Sequence, residues 1–216
     1  MDRDRAPPTL ALRQVNIDSQ DVSTQVHAAK DKLVSMQNGC ICCTLREDLL
    51  KEIAAIAKAG QVDYILIEST GISEPMPVAE TFTFGDLETG EKLGDVAYLD
   101  NMVTVVDCAR FFENFESLET LQESKENGAA TEEDERTIVD LMMDQVEFAD
   151  TMILNKTDLV SESDLATIRA LLHKLNPTAS QITSTFSKVP LTEVIGTGRF
   201  NMEHAMTRPG WLQELR

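Results

Sequence analysis

Apolar positions along the chain gather into short, nearly unbroken runs separated by stretches of helical period. Val62-Asp63-Tyr64-Ile65-Leu66-Ile67, Met102-Val103-Thr104-Val105-Val106 and Thr151-Met152-Ile153-Leu154 have the length and β-branched content of buried strands. Leu33-Val34-Ser35-Met36 predicts another short strand, stopped at the turn signal Asn38-Gly39, and Gln181-Ile182-Thr183 a last one. Leu45, Leu49, Ile53, Ile56 and Ala57 recur on one helical face, with Thr44 as cap, Glu47 three residues on and Gly60 as the stop. Further helices are predicted over 135–148 and 163–175, the second ended by Asn176-Pro177. Strands alternating with helices predict an α/β fold, a mostly parallel sheet flanked by helices.

Each of the three strong strands ends on a polar residue: Glu68, Asp107 and Asn155. Ligands of parallel sheets bind beyond the carboxyl ends of the strands, so these three residues are expected to converge on one site. Residues 1–13 carry adjacent prolines and no clear period, which predicts an irregular lead. The stretch 113–135 holds nine Asp/Glu against Lys125 alone and reads as a solvated acidic loop.

Three motifs carry candidate chemistry. Asn155-Lys156-Thr157-Asp158 directly follows an apolar strand. A carboxylate two residues beyond a lysine can accept both N–H donors of guanine's pyrimidine edge. The asparagine amide can pair with the other edge of the purine, and the lysine stem can lie along its face. Adenine offers no such donor pair and would leave the carboxylate unmatched. Glu68-Ser69-Thr70-Gly71 ends another strand: the carboxylate can hold Mg²⁺ through water, and Gly71 lets a backbone N–H approach a terminal phosphate. Taken alone, this second motif reads better as a strand-end acid and a turn glycine; paired with the Asn-Lys-Thr-Asp loop at the next-but-one strand, the functional reading overtakes it.

Gly39-Cys40-Ile41-Cys42-Cys43 is the sharpest feature. Three thiolates within four positions, on a turn before a helix N-terminus, suit Zn²⁺ or Cu(I) and leave one coordination position open. A helix N-terminus there would favour the thiolate form and so metallation. Rival uses are packing cysteines and a redox pair, Cys40 with Cys43 at C-x-x-C spacing. Cys108, behind Asp107, reads as a core residue rather than a fourth ligand.

Composition narrows the partners. The 216 residues suffice for one domain with a buried core, and 37 Asp+Glu against 19 Lys+Arg give a net charge of −18. That charge repels nucleic-acid phosphates and anionic membrane surfaces, so neither is expected as a partner. There is no apolar run of membrane-spanning length and no signal-peptide core, and crowded cysteines do not make a disulfide framework. A cytoplasmic location is expected.

Together GCICCTLREDLL (39–50), YILIESTGISEP (64–75), TVVD (104–107) and LNKTDLV (154–160) resemble, in order and spacing, the CobW-like branch of the CobW/HypB/UreG GTPases. The resemblance implies a P-loop GTPase domain that couples GTP binding and hydrolysis to delivery of a metal, commonly zinc, to client metalloproteins. On the matching positions, Cys40, Cys42 and Cys43 would be metal ligands. Glu68 and Gly71 would form the Walker-B and switch region, and Asn155, Lys156 and Asp158 would read guanine. GTP or GDP with Mg²⁺, and Zn²⁺, are the implied cofactors. A homodimer is one outcome, where a second chain fills the open zinc position.

The sequence departs from that pattern. No Gly-Lys-[Ser/Thr] phosphate loop occurs anywhere, and Leu10-Ala11-Leu12-Arg13-Gln14 stands where the family carries a switch before the Val-Asn-Ile-Asp kept at 15–18. The expectation is a fold incomplete at its N-terminus: an irregular lead over 1–14, a partial GTPase domain over 15–208, and an exit segment 209–216 toward a missing C-terminal domain. Loss of the first strand would leave unpaired sheet edges, and GTP hydrolysis would be impaired. The alternative function is a non-enzymatic zinc-binding or partner-binding module.

Overall fold

The computed structural model describes residues 9–14, 51, 53–60, 62–69, 75–82, 93–95, 97–116 and 138–208. Among them, five parallel strands form one sheet in the order β2-β1-β3-β4-β5. They are β1 (Thr9–Gln14), β2 (Tyr64–Ser69), β3 (Tyr98–Asp107), β4 (Thr151–Asn155) and β5 (Ser180–Thr183). The chain steps outward from β1 to β2 and then crosses back to β3. The order therefore reverses between β1 and β3, the place where such sheets open a crevice at their carboxyl edge.

β1 corrects the expected irregular lead over 1–14. Thr9–Gln14 pairs with both β2 and β3 and fills a central position, so the sheet does not lack that member. The missing alternation that argued against a strand carries no weight in a parallel sheet, whose inner strands are covered on both faces.

The helices are α1 (Pro75–Thr81), α2 (Phe111–Glu116), α3 (Ile138–Glu147), α4 (Glu162–Leu175) and α5 (Met202–Met206). Residues 53–59 are also helical, with Ile53 and Ala57 buried as the apolar period requires. Gly60 ends that helix at φ +62°, and its N–H bonds the Ala57 carbonyl at 3.1 Å. The α4 N-cap is Ser161, whose hydroxyl accepts from the Asp164 N–H at 3.1 Å. α2 takes in the first residues of the predicted acidic loop, because Phe111 is buried and stacks on Phe115 one turn later. The rest of that loop, the predicted strand 33–36 and the exit segment 209–216 lie outside the described residues.

Two apolar clusters hold the layers together. One gathers Ile53, Met76, Ala79, Phe82, Leu93 and Leu99. In the other, Met152 and Leu154, two apart on β4 and therefore on one face, pack with Ile168 and Leu172 of α4. Asn176 locks the turn after α4: its amide N–H groups donate to the carbonyls of Val146, Glu147 and Ala149 at 2.8–3.0 Å. Its carbonyl accepts from Thr178 and Ala179.

The amino edge of the sheet is tied by charge. Asp100, buried, accepts from the Tyr64 hydroxyl at 2.9 Å and from the Thr197 N–H at 3.0 Å. It sits at the register shift of β3 against β1, where Leu10 pairs Leu99 but Ala11 pairs Asn101. Burial and this carboxylate together push the Tyr64 phenol well above its usual range. Nearby, the Asp150 carboxylate accepts from the Met102 N–H at 2.9 Å and meets Arg208 at 3.4 Å.

Candidate functional site at the carboxyl edge

Asp107 and Asn155 are register partners at the carboxyl ends of β3 and β4. Asp107 turns one oxygen back onto its own chain, accepting from the N–H groups of Ala109 and Arg110 at 3.0 and 3.3 Å. This caps the short turn of Cys108–Arg110. Its other oxygen takes the Lys156 ammonium at 2.6 Å. Lys156 thus reaches from the end of one strand across to the next, and its stem is drawn along the sheet edge.

Lys156 has a left-handed backbone, φ +60° and ψ +35°, a conformation that costs a side-chain-bearing residue of order 1–2 kcal/mol. The next two residues show what holds it. The Thr157 N–H and hydroxyl both donate to the Ser184 carbonyl, at 3.2 and 3.1 Å, and Thr157 also meets the Thr185 hydroxyl at 3.3 Å. Asp158 follows in the turn Thr157–Leu159, exposed at the mouth of the edge.

Asn155 is a clamp on the neighbouring loop. Its carbonyl accepts from the Ser187 N–H at 2.9 Å, and its amide donates to the Ser187 hydroxyl at 3.0 Å. An asparagine amide has two N–H groups, so these bonds leave one for a ligand. Ser184–Ser187 was not singled out from sequence, where it is only a polar stretch after a short strand. Its Ser-Thr-x-Ser composition, one strand beyond the Asn-Lys-Thr-Asp motif, was the available signal.

The three strand-end residues do not converge equally. Glu68 is paired with Arg13, and Arg13 with Val103, so Glu68 lies level with Val103, four residues short of Asp107. β1 also stands between β2 and β3, so about 10 Å of sheet separates Glu68 from the β3 ladder. Glu68 is exposed there. Gly71 and the cysteines Cys40, Cys42 and Cys43 lie outside the described residues, among which no cluster of His, Cys, Asp or Glu could hold a metal ion. Cys108 is buried in the second apolar cluster as a packing residue, its thiol pushed up to about 11 chiefly by burial and further by Asp107. No described helix is long and apolar enough to cross a membrane.

The carboxyl edge of the parallel sheet thus presents a left-handed Lys-Thr-Asp turn, pinned by Asp107 of β3 and by the loop after β5. The profile of the CobW/HypB/UreG nucleotide-binding domain matches residues 11–183. The chain belongs to the CobW/HypB/UreG family. It is 48% identical over 214 residues to the zinc-regulated GTPase metalloprotein activator 1 of Dictyostelium discoideum, covering 95% of this chain and 45% of that protein. It is 31% identical over 146 residues to the zinc chaperone CobW of a Sinorhizobium species, covering 65% of this chain and 38% of that one. The chain thus spans less than half the length of these curated relatives. The crystal structure of Zn(II)-bound YjiA GTPase from E. coli superposes with a TM-score of 0.59 at 20% identity, over 91% of this chain and 63% of that one. The fold is that of this GTPase.

Proposed function

We propose that the chain is the guanine-reading and zinc-carrying portion of a GTP-dependent zinc chaperone that serves client metalloproteins. The observation that carries the nucleotide half is the double anchoring of the Asn155–Asp158 turn, by Asp107 through Lys156 and by Ser187 through Asn155. An exposed carboxylate on a turn so fixed can accept both guanine N–H donors without reorganising, and adenine offers no such adjacent donor pair. Glu68 and Gly71, at and after the end of β2, serve the Mg²⁺ and terminal-phosphate side.

For the metal half, thiolates at Cys40, Cys42 and Cys43 are a donor set suited to zinc, with the fourth position left for a client's ligand or a second chain. Mg²⁺, when bound with GTP, neutralises charge on the transferring phosphoryl group. Because these 216 residues contain no Gly-Lys-[Ser/Thr] loop, they lack the N–H cradle and the lysine that hold the β- and γ-phosphates. Hydrolysis by this chain is therefore impaired, and the same absence favours a second reading, a zinc-binding module without turnover.

The deciding experiment is calorimetric titration with GDP and ADP. GDP should be preferred, and Asp158→Ala should erase the preference; equal binding of both nucleotides by the unaltered chain overturns the guanine reading. Mg²⁺-dependent GTP turnover should be undetectable, and robust turnover would overturn the impairment.

A further inference from the structure

Phe186 is 80% exposed, more than any other large apolar side chain among the described residues. It stands in an unusual turn. The Lys188 N–H bonds the Thr185 carbonyl at 3.2 Å, and the two central residues, Phe186 and Ser187, have φ of +52° and +53°. Turns with positive φ at both central positions favour Asn-Gly, because side chains beyond Cβ are disfavoured there. Where this chain needs a left-handed residue a few positions later, it uses glycine: Gly196 and Gly198, at φ +65° and +60°. At 186 it holds an aromatic ring in the same strained region and leaves it in water.

The strain is held from both sides. Ser184 N–H bonds the Leu154 carbonyl at 2.8 Å, Thr185 meets Thr157, and Ser187 is clamped twice by Asn155. Every one of those partners lies on or next to the Asn-Lys-Thr-Asp turn. Phe186 is consequently the exposed middle of a loop whose flanks are fastened to that turn. A strained, over-determined backbone presenting an apolar group is a pattern found at ligand contacts.

We propose that Phe186 is a base-contacting residue, its ring packed on the purine whose edge Asp158 reads. This rests on the guanine reading of Asp158 and adds to it a division of labour. Every base has an aromatic face, so a ring contact strengthens binding without choosing between bases. Edge recognition by Asp158 supplies the choice.

The two roles separate in one set of titrations of the full chain with GDP, XDP and ADP, read by ligand-observed NMR so that weak binding registers. Phe186→Gly removes the ring and also the backbone strain, which keeps the variant folded. It should weaken GDP, XDP and ADP alike, by about five- to a hundredfold, with the GDP-to-ADP ratio unchanged. Asp158→Asn, which offers a donor to the C2 carbonyl of xanthine, should move the preference from GDP to XDP while Phe186 stays in place. Phe186→Trp should keep GDP affinity, and its emission above the Trp211 background should fall as guanine binds. If Phe186→Gly binds GDP within twofold of the unaltered chain while Asp158→Asn still switches the base, this proposal falls and the guanine reading stands. If Asp158→Asn leaves the GDP-to-XDP ratio unmoved, the guanine reading falls, and this proposal with it.

Discussion

Lys156 and Asp107 meet at 2.6 Å across the carboxyl ends of adjacent strands, although 49 positions separate them in sequence. Each member has a second duty. Lys156 sits in a left-handed turn before the Asp158 carboxylate, and Asp107 caps the turn leaving β3. The pair therefore couples the geometry of one strand end to the other.

Separating the two duties of Asp107 is possible with two substitutions. Asparagine caps as well as aspartate but removes the charge, whereas alanine removes both. The ion pair is partly exposed on both sides, so its loss should cost no more than about 1 kcal/mol. Asp107→Asn should therefore lower the urea unfolding free energy by less than that, and Asp107→Ala by about a further 1 kcal/mol. Equal losses for the two variants would show that the cap contributes nothing.

Asn176 predicts a larger effect. It is buried, and its side chain satisfies three carbonyls and two backbone N–H groups at the junction of α3, α4 and β5. Asn176→Ala leaves those groups buried and unmatched, which should destabilise by about 2–4 kcal/mol. Asn176→Asp keeps the two accepted bonds but replaces the donor by a second acceptor, and should be no better than alanine. A loss below 1 kcal/mol for alanine in urea unfolding would refute the role.

The sequence-based reading and the structure part company for identifiable physical reasons. β2 to β5 and α4 were legible because a short apolar run, or for α4 the Asn176-Pro177 stop, marks them locally. β1 was not: TLALRQ has no period of its own, and its strand character comes from being paired on both sides by β2 and β3. The Asn155–Asp158 turn was legible because its chemistry lies within four consecutive residues. Ser187 was not, because its value lies in a contact with Asn155 across 32 positions. The expectation that Glu68 converges with Asp107 read only that both end a strand, while the stagger between strands is set by register.

Asp150 predicts a pH dependence with a definite sign. Burial raises its carboxyl above the ordinary 3.8, outweighing the Met102 N–H and Arg208, which both pull it down. A folded pKa above the unfolded one means that its contribution to stability is fully present below about 3.8 and is lost as pH rises through the folded value. Asp150→Asn does not titrate. The stability of the unaltered chain relative to this variant should therefore decline as pH is raised from below 3.8, measured by urea unfolding at each pH. A relative gain over the same range would mean that the Arg208 pairing dominates burial.

Zinc binding gives the last prediction, and it turns on the difference between two kinds of cysteine. Cys108 is 1% exposed and its thiol is raised to about 11, so at neutral pH it is a protonated packing residue that no metal can recruit without unfolding. Cys40, Cys42 and Cys43 lie within four positions, so a zinc ion can gather them through local chain geometry alone. About one Zn²⁺ per chain should be taken up on reduced protein, or one per homodimer where a second molecule supplies the fourth ligand. Because thiols lose protons on ligation, uptake should release protons and weaken as pH falls. Replacing all three clustered cysteines by serine should abolish uptake measured in competition with a chromogenic chelator. Cys108→Ser should leave uptake unchanged and cost stability instead, since it places a hydroxyl among Phe111, Met152 and the other apolar residues of that cluster. A triple variant that still carried wild-type zinc would reduce the cluster to packing residues and remove the metal half of the proposed function.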